Sequence, residues 1–113
     1  MKTNNRLVVE TKTLQGITAL APLVAKIARV DGSLADQVKR AASSIALNLG
    51  EGLASTKGTR RARLENALGS QRETMTALEV ALAWGYLTRD EVLPAQQVLD
   101  DVGALLYRLG RAG

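Results

Sequence analysis

Residues 34–52, LADQVKRAASSIALNLGEG, carry apolar side chains in alternating steps of four and three. That spacing is typical of one face of an α-helix. The face consists of Leu34, Val38, Ala41, Ile45, Asn48 and Gly52. The stretch therefore predicts an amphipathic helix with an amide on its buried seam, closed by a carboxylate and two glycines.

The flanking sequence contains further segments with helical spacing. Upstream, residues 14–30 predict a first helix, with a kink or a restart at Pro22 because proline removes a backbone donor. Downstream, residues 53–58 (LASTKG) predict a loop, and residues 59–83 predict a long third helix. The helix over residues 34–52 is thus the second in the chain.

Cap residues mark where these helices begin and end. Ser33 resembles the N-cap of the second helix, and Gly52 is assigned the left-handed conformation that ends it. Gly85 ends the third helix. Residues 88–91 (TRDE) have the spacing of a capping box, from which a fourth helix should extend to near Arg108.

Four amphipathic helices with short links predict an all-α fold, an antiparallel up-down-up-down four-helix bundle, because short loops make sequential helices antiparallel neighbours. Residues 1–113 are expected to form this single domain. Residues 1–12 are assigned to an N-terminal arm. Within it, Arg6–Glu10 (RLVVE) fits either a short edge strand or a flexible segment.

The composition excludes most catalytic chemistry. The chain has no cysteine and no histidine, which removes the commonest zinc ligands, thiol nucleophiles and the Ser-His-Asp arrangement. Four carboxylates could suggest a metal site in the bundle, but such sites also use Glu-x-x-His pairs. They are Glu73, Glu79, Asp100 and Asp101. No catalytic residue, metal or cofactor is therefore expected.

The N-terminal sequence MKTNNRLVVETKT lacks the apolar core of a signal peptide. No run approaches the ~18 consecutive apolar residues of a membrane span. A cytoplasmic protein without membrane contact is therefore expected.

The end of the second helix carries a polar motif. Asn48 and Glu51 are three residues apart and share a face, where they could bind main-chain donors or an arginine across the bundle. Gly50 is expected to leave room for a neighbouring helix. Because an unpaired buried amide or carboxylate costs about 1–3 kcal/mol, these polar groups are assigned a role in orienting helices rather than in catalysis.

Small side chains form extra rows beside the predicted core. On the third helix the row consists of Ala67, Ser70, Thr74, Ala77, Ala81 and Trp84. On the second helix it consists of Ala42, Ser43, Ala46 and Leu49. Such rows allow another helix to approach closely, so self-association is expected, with a tightly packed monomer as the alternative.

Glycines and aromatic residues have structural interpretations. Gly16, Gly69 and Gly103 lie within helical segments, where close helix contact would compensate for their low helix propensity. Trp84 and Tyr86 are expected to pack at the turn between the third and fourth helices.

Positive charge is densest at the start of the third helix. The net charge is +4, and Lys57, Arg60, Arg61 and Arg63 fall within seven residues. Cations at a helix N-terminus oppose the macrodipole, whereas a phosphate there would interact favourably. The alternative is a solvated charge run in which Arg61 pairs with Glu65.

Lys39 and Arg40 on the second helix are a second candidate pair for binding nucleic acid, unless one of them pairs with Glu51 or Glu73. Aromatic residues make up only 3% of the chain, so few side chains are available to stack on bases. Contact with RNA or DNA should therefore be mostly to phosphate.

The middle of the chain resembles the four-helix bundle proteins encoded within bacterial 23S rRNA intervening sequences, also called S23 ribosomal proteins. It is similar as well to their relative, the accessory variability determinant of diversity-generating retroelements. The resemblance is carried by the segments LADQVKRAA (34–42), Ser44-Ile45, Asn48, Glu51-Gly52, ALGSQRET (67–74, with Gly69, Ser70 and Glu73) and WGYL (84–87).

The resemblance implies a homopentameric ring with a basic surface that contacts RNA or DNA and, in the retroelement relative, a reverse transcriptase. It implies no catalytic residues. The sequence therefore favours a non-enzymatic, homo-oligomeric nucleic-acid-binding bundle. The alternative is a protein-interaction module that docks on a polymerase, a reverse transcriptase or a ribosome-associated partner without touching nucleic acid.

Overall fold

The computed structural model describes residues 2–112, and the side chains of residues 8–111. Within that range the chain forms the four helices α1 (Lys2–Ala28), α2 (Gly32–Leu53), α3 (Lys57–Ala83) and α4 (Arg89–Ala112). The main contacts are between α1 and α2, α2 and α3, α3 and α4, and α1 and α4. The predicted all-α four-helix fold is confirmed.

Contacts near the helix ends give the direction of the chain. Gly52, near the end of α2, lies against Leu64 in the second turn of α3. Tyr86, just after α3, contacts Asp31, just before α2. Both contacts place α2 and α3 antiparallel, as in an up-down bundle.

The core lies along the axis of the bundle and receives large side chains from every helix. Those that are almost fully buried include Leu20, Ile27, Ile45, Leu49, Leu64, Leu78, Leu99 and Leu106. Burying one such side chain contributes about 1.5–3 kcal/mol. Two glycines allow close helix contact, as predicted: a Cβ on Gly16 would lie 3.0 Å from Leu99 Cδ2, and one on Gly103 would lie 2.7 Å from Gln71 Nε2.

The predicted start of α1 at Leu14 is wrong, because the helix begins at Lys2 and includes Arg6–Glu10. The edge strand proposed for that segment is therefore also wrong. Val9 and Thr13 are both buried, and the Thr13 hydroxyl donates to the Val9 carbonyl at 2.8 Å. The predicted restart at Pro22 does not occur, since α1 continues through it.

The N-cap of α2 is Asp31, in the turn after α1, and not the predicted Ser33. The Asp31 carboxylate accepts a hydrogen bond from the Leu34 backbone N–H at 3.0 Å. Its other oxygen accepts a hydrogen bond from the Tyr86 hydroxyl at 3.1 Å. Asp31 thus stabilises the start of α2 and also joins the two turns at this end of the bundle.

The end of α3 at Ala83 and the role of Gly85 are confirmed. Gly85 has a φ of +78°, a conformation that glycine adopts without strain. The Gly85 N–H bonds to the Leu82 carbonyl and the Tyr86 N–H bonds to the Ala81 carbonyl. This pair of bonds is the Schellman motif, which satisfies the last carbonyls of the helix.

Glu91 makes two stabilising contacts at the start of α4. Its carboxylate accepts from the Thr88 backbone N–H at 2.8 Å, while the Thr88 hydroxyl accepts from the Glu91 N–H at 3.3 Å. This confirms the capping box. The same carboxylate also accepts from Lys26 Nζ at 2.8 and 3.0 Å, which links α4 to α1. The hydrogen bonds from Lys26 and then Thr88 lower the pKa of Glu91 below its ordinary value.

Glu91→Gln tests this carboxylate through its pH dependence. A carboxyl whose pKa is lowered by folding stabilises fully above its unfolded pKa, and that contribution is lost as the pH falls through its folded pKa. Glutamine keeps the cap but loses the ion pair. We expect the variant to melt below the wild type at pH 7, and the gap to narrow as the pH falls below about 4.

The matched control is Glu65→Gln, because the nearest Arg61 nitrogen is 3.9 Å from Glu65 and both side chains are exposed. We expect little change in its melting temperature at either pH. Thermal melts followed by circular dichroism give the comparison. A Glu91→Gln gap that stays constant between pH 7 and pH 3 would refute the assignment.

Candidate nucleic-acid interface

Positive charge is concentrated along α2, α3 and the turn that joins them. Between residues 39 and 63 the chain has six basic side chains and only one carboxylate, Glu51. Lys57, Arg60 and Arg61 lie in the first turns of α3, which begins at Lys57. Lys39 and Arg40 lie farther along the bundle, about 18 Å up α2 from Gly52.

Arg63 joins Lys39 and Arg40 in an open groove of about 490 Å³ on the outer side of α2 and α3. We call this the α2–α3 groove. Its lining residues are Lys39, Arg40, Ser43, Ser44, Leu47, Asn48, Glu51 and Arg63. Leu47 is 67% exposed, which gives the groove an apolar element among cationic side chains.

Asn48 does not cross the bundle directly, contrary to one interpretation of the motif. Its amide nitrogen donates within α2, to the Ser44 carbonyl at 3.0 Å and to the Ser44 hydroxyl at 2.9 Å. The Ser44 and Ser70 hydroxyls, 2.8 Å apart, then make the link to α3. The buried seam position belongs to Leu49, so Asn48 is half-buried beside it.

Glu51 reaches an arginine on the neighbouring helix, as predicted. Its carboxylate lies 3.7 Å from Arg63 Nη2, and both side chains are largely exposed. Arg61 pairs with Glu65 at 3.9 Å, also as the solvated-charge alternative predicts. Such exposed pairs contribute little to stability.

The other basic residues of the two predicted clusters have no such partner. Among the side chains of residues 8–111, no carboxylate lies within 4.0 Å of Lys39, Arg40, Lys57 or Arg60. Arg60 Nε is buried and makes no hydrogen bond. The start of α3 therefore carries cationic groups whose hydrogen-bonding capacity is only partly used.

The glycines of the motif have roles opposite to those predicted. Gly52 is helical and buried, and a Cβ there would lie 3.1 Å from Arg63 Cβ and 3.4 Å from a Leu64 methyl. It therefore allows α2 and α3 to approach closely at this point. Gly50 and Gly69 have no atom within 4 Å of a Cβ, so neither provides close contact within the chain. The helix ends instead at Leu53 with a right-handed cap.

Gly52→Ala and Gly50→Ala form a matched pair that tests this difference. Both gain helix propensity, but only alanine at residue 52 forces Arg63 and Leu64 to move. We expect Gly52→Ala to be less stable than Gly50→Ala by about 1–3 kcal/mol, the cost of overpacking. Urea denaturation of both variants measures the difference. Equal stabilities would show that α3 yields at this point without cost.

The small-residue row of α3 is covered within the chain. Ala67, Ser70, Thr74, Ala77 and Ala81 are all buried. On α2, Ala42 and Leu49 are buried and Ser43 and Ala46 are half-buried. The α3 row therefore needs no second copy, because the bundle itself fills the space beside its buried residues, whereas Ser43 and Ala46 of the α2 row are only partly covered.

Trp84 does not pack at the turn as predicted, since it is 69% exposed. Its ring stacks on Tyr86, with centroids 6.4 Å apart and planes at 17°. Tyr86 does pack there, against the core and Asp31. The sequence does not indicate which of these two aromatic side chains packs against the core. They differ in the direction in which each side chain leaves the turn.

Glu73, the remaining residue of the motif, is exposed on α3. It lines a neighbouring depression with Gln37, Gly69 and Arg72. In the part of the chain with described side chains, no three His, Cys, Asp or Glu residues are grouped to hold a metal ion. No helix in that part combines the length and apolar character needed to cross a membrane.

The chain is similar to known proteins over most of its length. The family model described as 23S rRNA-intervening sequence protein matches residues 17–108. A similar solved structure is a crystal structure, at 1.70 Å resolution, of a protein with unknown function from the S23 ribosomal protein family of Bacteroides thetaiotaomicron VPI-5482. The two are 21% identical over 95% of this chain and 98% of that one, with a TM-score of 0.87. No curated protein matches the chain.

Proposed function

The chain belongs to the 23S rRNA-intervening sequence protein family, and we propose that it is a non-enzymatic, homo-oligomeric bundle that binds the phosphate backbone of RNA or DNA without reading its sequence. The observation that carries this proposal is the charge between residues 39 and 63. Six basic side chains and one carboxylate give this segment a net charge that exceeds the +4 of the whole chain. A surface of this kind is the usual electrostatic footprint of nucleic-acid binding.

The start of α3 is the strongest part of the surface. Thr56 precedes the helix but makes no side-chain cap hydrogen bond, so the first N–H groups of α3 lack a side-chain acceptor. Lys57, Arg60 and Arg61 oppose the helix macrodipole at this end. A phosphate would accept from the free N–H groups and would also pair with the cations.

Sequence-independent binding follows from the groups available. Arginine and lysine side chains contact phosphate, whereas base recognition in single strands depends on aromatic stacking. Aromatic residues make up 3% of the chain, and the exposed Trp84 lies near Asp31, at the opposite end of α2 from the basic turn. Affinity would therefore come from several weak phosphate contacts.

Self-association would repeat the basic surface on each copy and so increase the affinity for a long polyanion. Its support within the chain is the set of large apolar side chains that remain exposed. These include Leu14, Val30, Leu47, Trp84, Leu93 and Tyr107. The homopentameric ring is the assembly that the family resemblance implies.

One observation favours the alternative of a protein-interaction module. Trp84 is largely exposed and its ring is held by stacking on Tyr86. Tryptophan is enriched among the residues that dominate binding energy in protein interfaces. A polymerase, reverse transcriptase or ribosome-associated partner could dock on this end, and Trp84→Ala would then remove that interaction and leave binding to RNA intact.

Fluorescence anisotropy with a labelled duplex RNA tests the proposed function. We expect binding at about 50 mM salt that weakens by about tenfold or more at 200 mM, because each neutralised phosphate releases counterions. A duplex of unrelated sequence should bind with the same affinity. Absence of binding at the lower salt concentration would overturn the proposal.

A further inference from the structure

We propose that α4 of one copy of the chain lies in the α2–α3 groove of the next copy. The inference rests on the self-association in the proposed function and identifies the two surfaces that meet. Three observations support it: an exposed stripe of side chains on the outer side of α4, the positive charge of the α2–α3 groove, and the similar positions of the stripe and the groove along the bundle axis.

The outer side of α4 carries a second stripe at helical spacing, separate from the one that faces the core. It consists of Leu93, Gln97, Asp100, Ala104 and Tyr107, which are all exposed. The steps of four, three, four and three are those of helices that pack side by side. Leu93 is 44% exposed and Tyr107 50% exposed. Arg111 lies over the Tyr107 ring, 5.3 Å from its centroid, and donates to its hydroxyl at 3.0 Å, so the large apolar group without cover is at the Leu93 end of the stripe.

The α2–α3 groove is complementary to this stripe in charge. Three cations, Lys39, Arg40 and Arg63, line the groove with one carboxylate. Asp100 lies at the middle of the α4 stripe and, among the side chains of residues 8–111, pairs with no cation, whereas its neighbour Asp101 pairs with Lys12. A helix with a carboxylate at its centre and an exposed leucine near its start suits a groove lined by cations and an exposed leucine.

The heights of the two surfaces along the bundle also match. Helices α2 and α4 begin at the same end, where Tyr86 contacts Asp31. Asp100 is eleven residues from the first residue of α4, and Ser43 is eleven from the first residue of α2, which is about 16 Å in each case. In a ring whose axis is parallel to the bundles, all copies point the same way. Asp100 of one copy would then lie at the height of Ser43 of the next, within one turn of Arg40.

The same comparison places a small residue opposite a large one. Ala104 and Leu47 are each fifteen residues from the start of their helices. The exposed Leu47 would therefore pack where α4 presents only a methyl group, which is how helices interdigitate. Because the stripe and the groove are different surfaces, the contact is heterologous, which gives a ring where the rotation between copies closes and does not give a twofold dimer.

This contact divides the basic residues between two roles. Lys39, Arg40 and Arg63 would lie beside the neighbouring copy, and Lys57, Arg60 and Arg61 at the start of α3 would remain available to phosphate. The subunit contact and the nucleic-acid contact can therefore be disrupted separately.

A charge exchange tests the inference. Arg40→Asp and Asp100→Arg each place like charges together, so each should weaken assembly at least about tenfold, as measured by sedimentation velocity. The double variant restores an opposite pair and should regain the wild-type sedimentation profile. Arg29→Asp, an exposed reversal at the α1–α2 turn, is the control and should assemble like the wild type.

The outcomes separate this inference from the function on which it rests. A wild-type chain that sediments at 12.0 kDa would overturn both the self-association and the contact. A wild-type assembly that neither single variant weakens, or a double variant without recovery, would overturn the contact alone. Circular dichroism of each variant establishes that the helices are intact, so that a loss of assembly reflects the surface.

Discussion

Gly103→Ala is expected to destabilise the protein by about 1–3 kcal/mol, the range for overpacking a core. A Cβ at residue 103 would lie 2.7 Å from Gln71 Nε2 and 2.9 Å from its amide carbon. That amide is buried and donates to the Leu99 carbonyl at 2.9 Å. The side chain cannot withdraw without leaving a buried donor unpaired, which itself costs about 1–3 kcal/mol.

Gly69→Ala is the matched control. Gly69 is also inside a helix, but it is exposed and has no atom within 4 Å of a Cβ. We expect this variant to gain about 0.5–1 kcal/mol from helix propensity. Urea denaturation of both variants gives the comparison. A Gly103→Ala variant as stable as Gly69→Ala would show that Gln71 moves without cost.

The double substitution Arg60→Ala and Arg61→Ala is expected to weaken binding to duplex RNA by about tenfold or more at moderate salt. These residues lie in the first turns of α3, where the N-cap makes no side-chain hydrogen bond. Neither side chain belongs to the core, so the fold should be unchanged. Anisotropy titrations at one salt concentration measure the loss.

The matched control removes the same number of charges elsewhere. Arg29, in the α1–α2 turn, and Arg72, near the middle of α3, are exposed and lie away from the start of α3. We expect Arg29→Ala with Arg72→Ala to change the affinity much less than the first pair. Similar losses from both pairs would indicate a general effect of net charge and not a site at the start of α3.

Apolar periodicity predicted the helices well where the buried positions are apolar. The stripes of α2 and α4 were clear for this reason. The first turns of α1 were missed because Thr13 occupies a buried position that the pattern expects to be apolar. Thr13 is accommodated by donating to the Val9 carbonyl, a bond that exists only once the helix has formed.

The N-cap of α2 was harder to predict, because more than one nearby residue type can accept the cap hydrogen bond. Asp31 and Ser33 both precede α2, and residue type alone does not decide between them. The Asp31 carboxylate also accepts from the Tyr86 hydroxyl, a contact from a turn 55 residues away that the local sequence does not reveal. Gly85, by contrast, was predictable because its left-handed conformation strongly favours glycine.

The candidate site was predictable in residue type but not in arrangement. The basic clusters and the Arg61–Glu65 pair follow from spacing along single helices. The roles of Gly50 and Gly52 depend on which side of α2 meets α3. Gly52 is seven residues after the buried Ile45 and so shares its side of the helix, a signal that outweighs the usual preference for glycine after a helix end. Whether the small-residue row of α3 is buried depends on how α3 and the helix beside it are rotated about their axes. The sequence of either helix alone does not determine that rotation.

Phosphate contact at the start of α3 has a direct signature, the slope of log affinity for duplex RNA against log salt concentration. The wild type should give a steep negative slope, and loss of Arg60 and Arg61 should make it shallower by about 0.9 for each phosphate contact removed. The Arg29 and Arg72 variant should keep the wild-type slope. Identical slopes for wild type and the Arg60 and Arg61 variant, or a wild-type affinity independent of salt, would contradict binding at this surface.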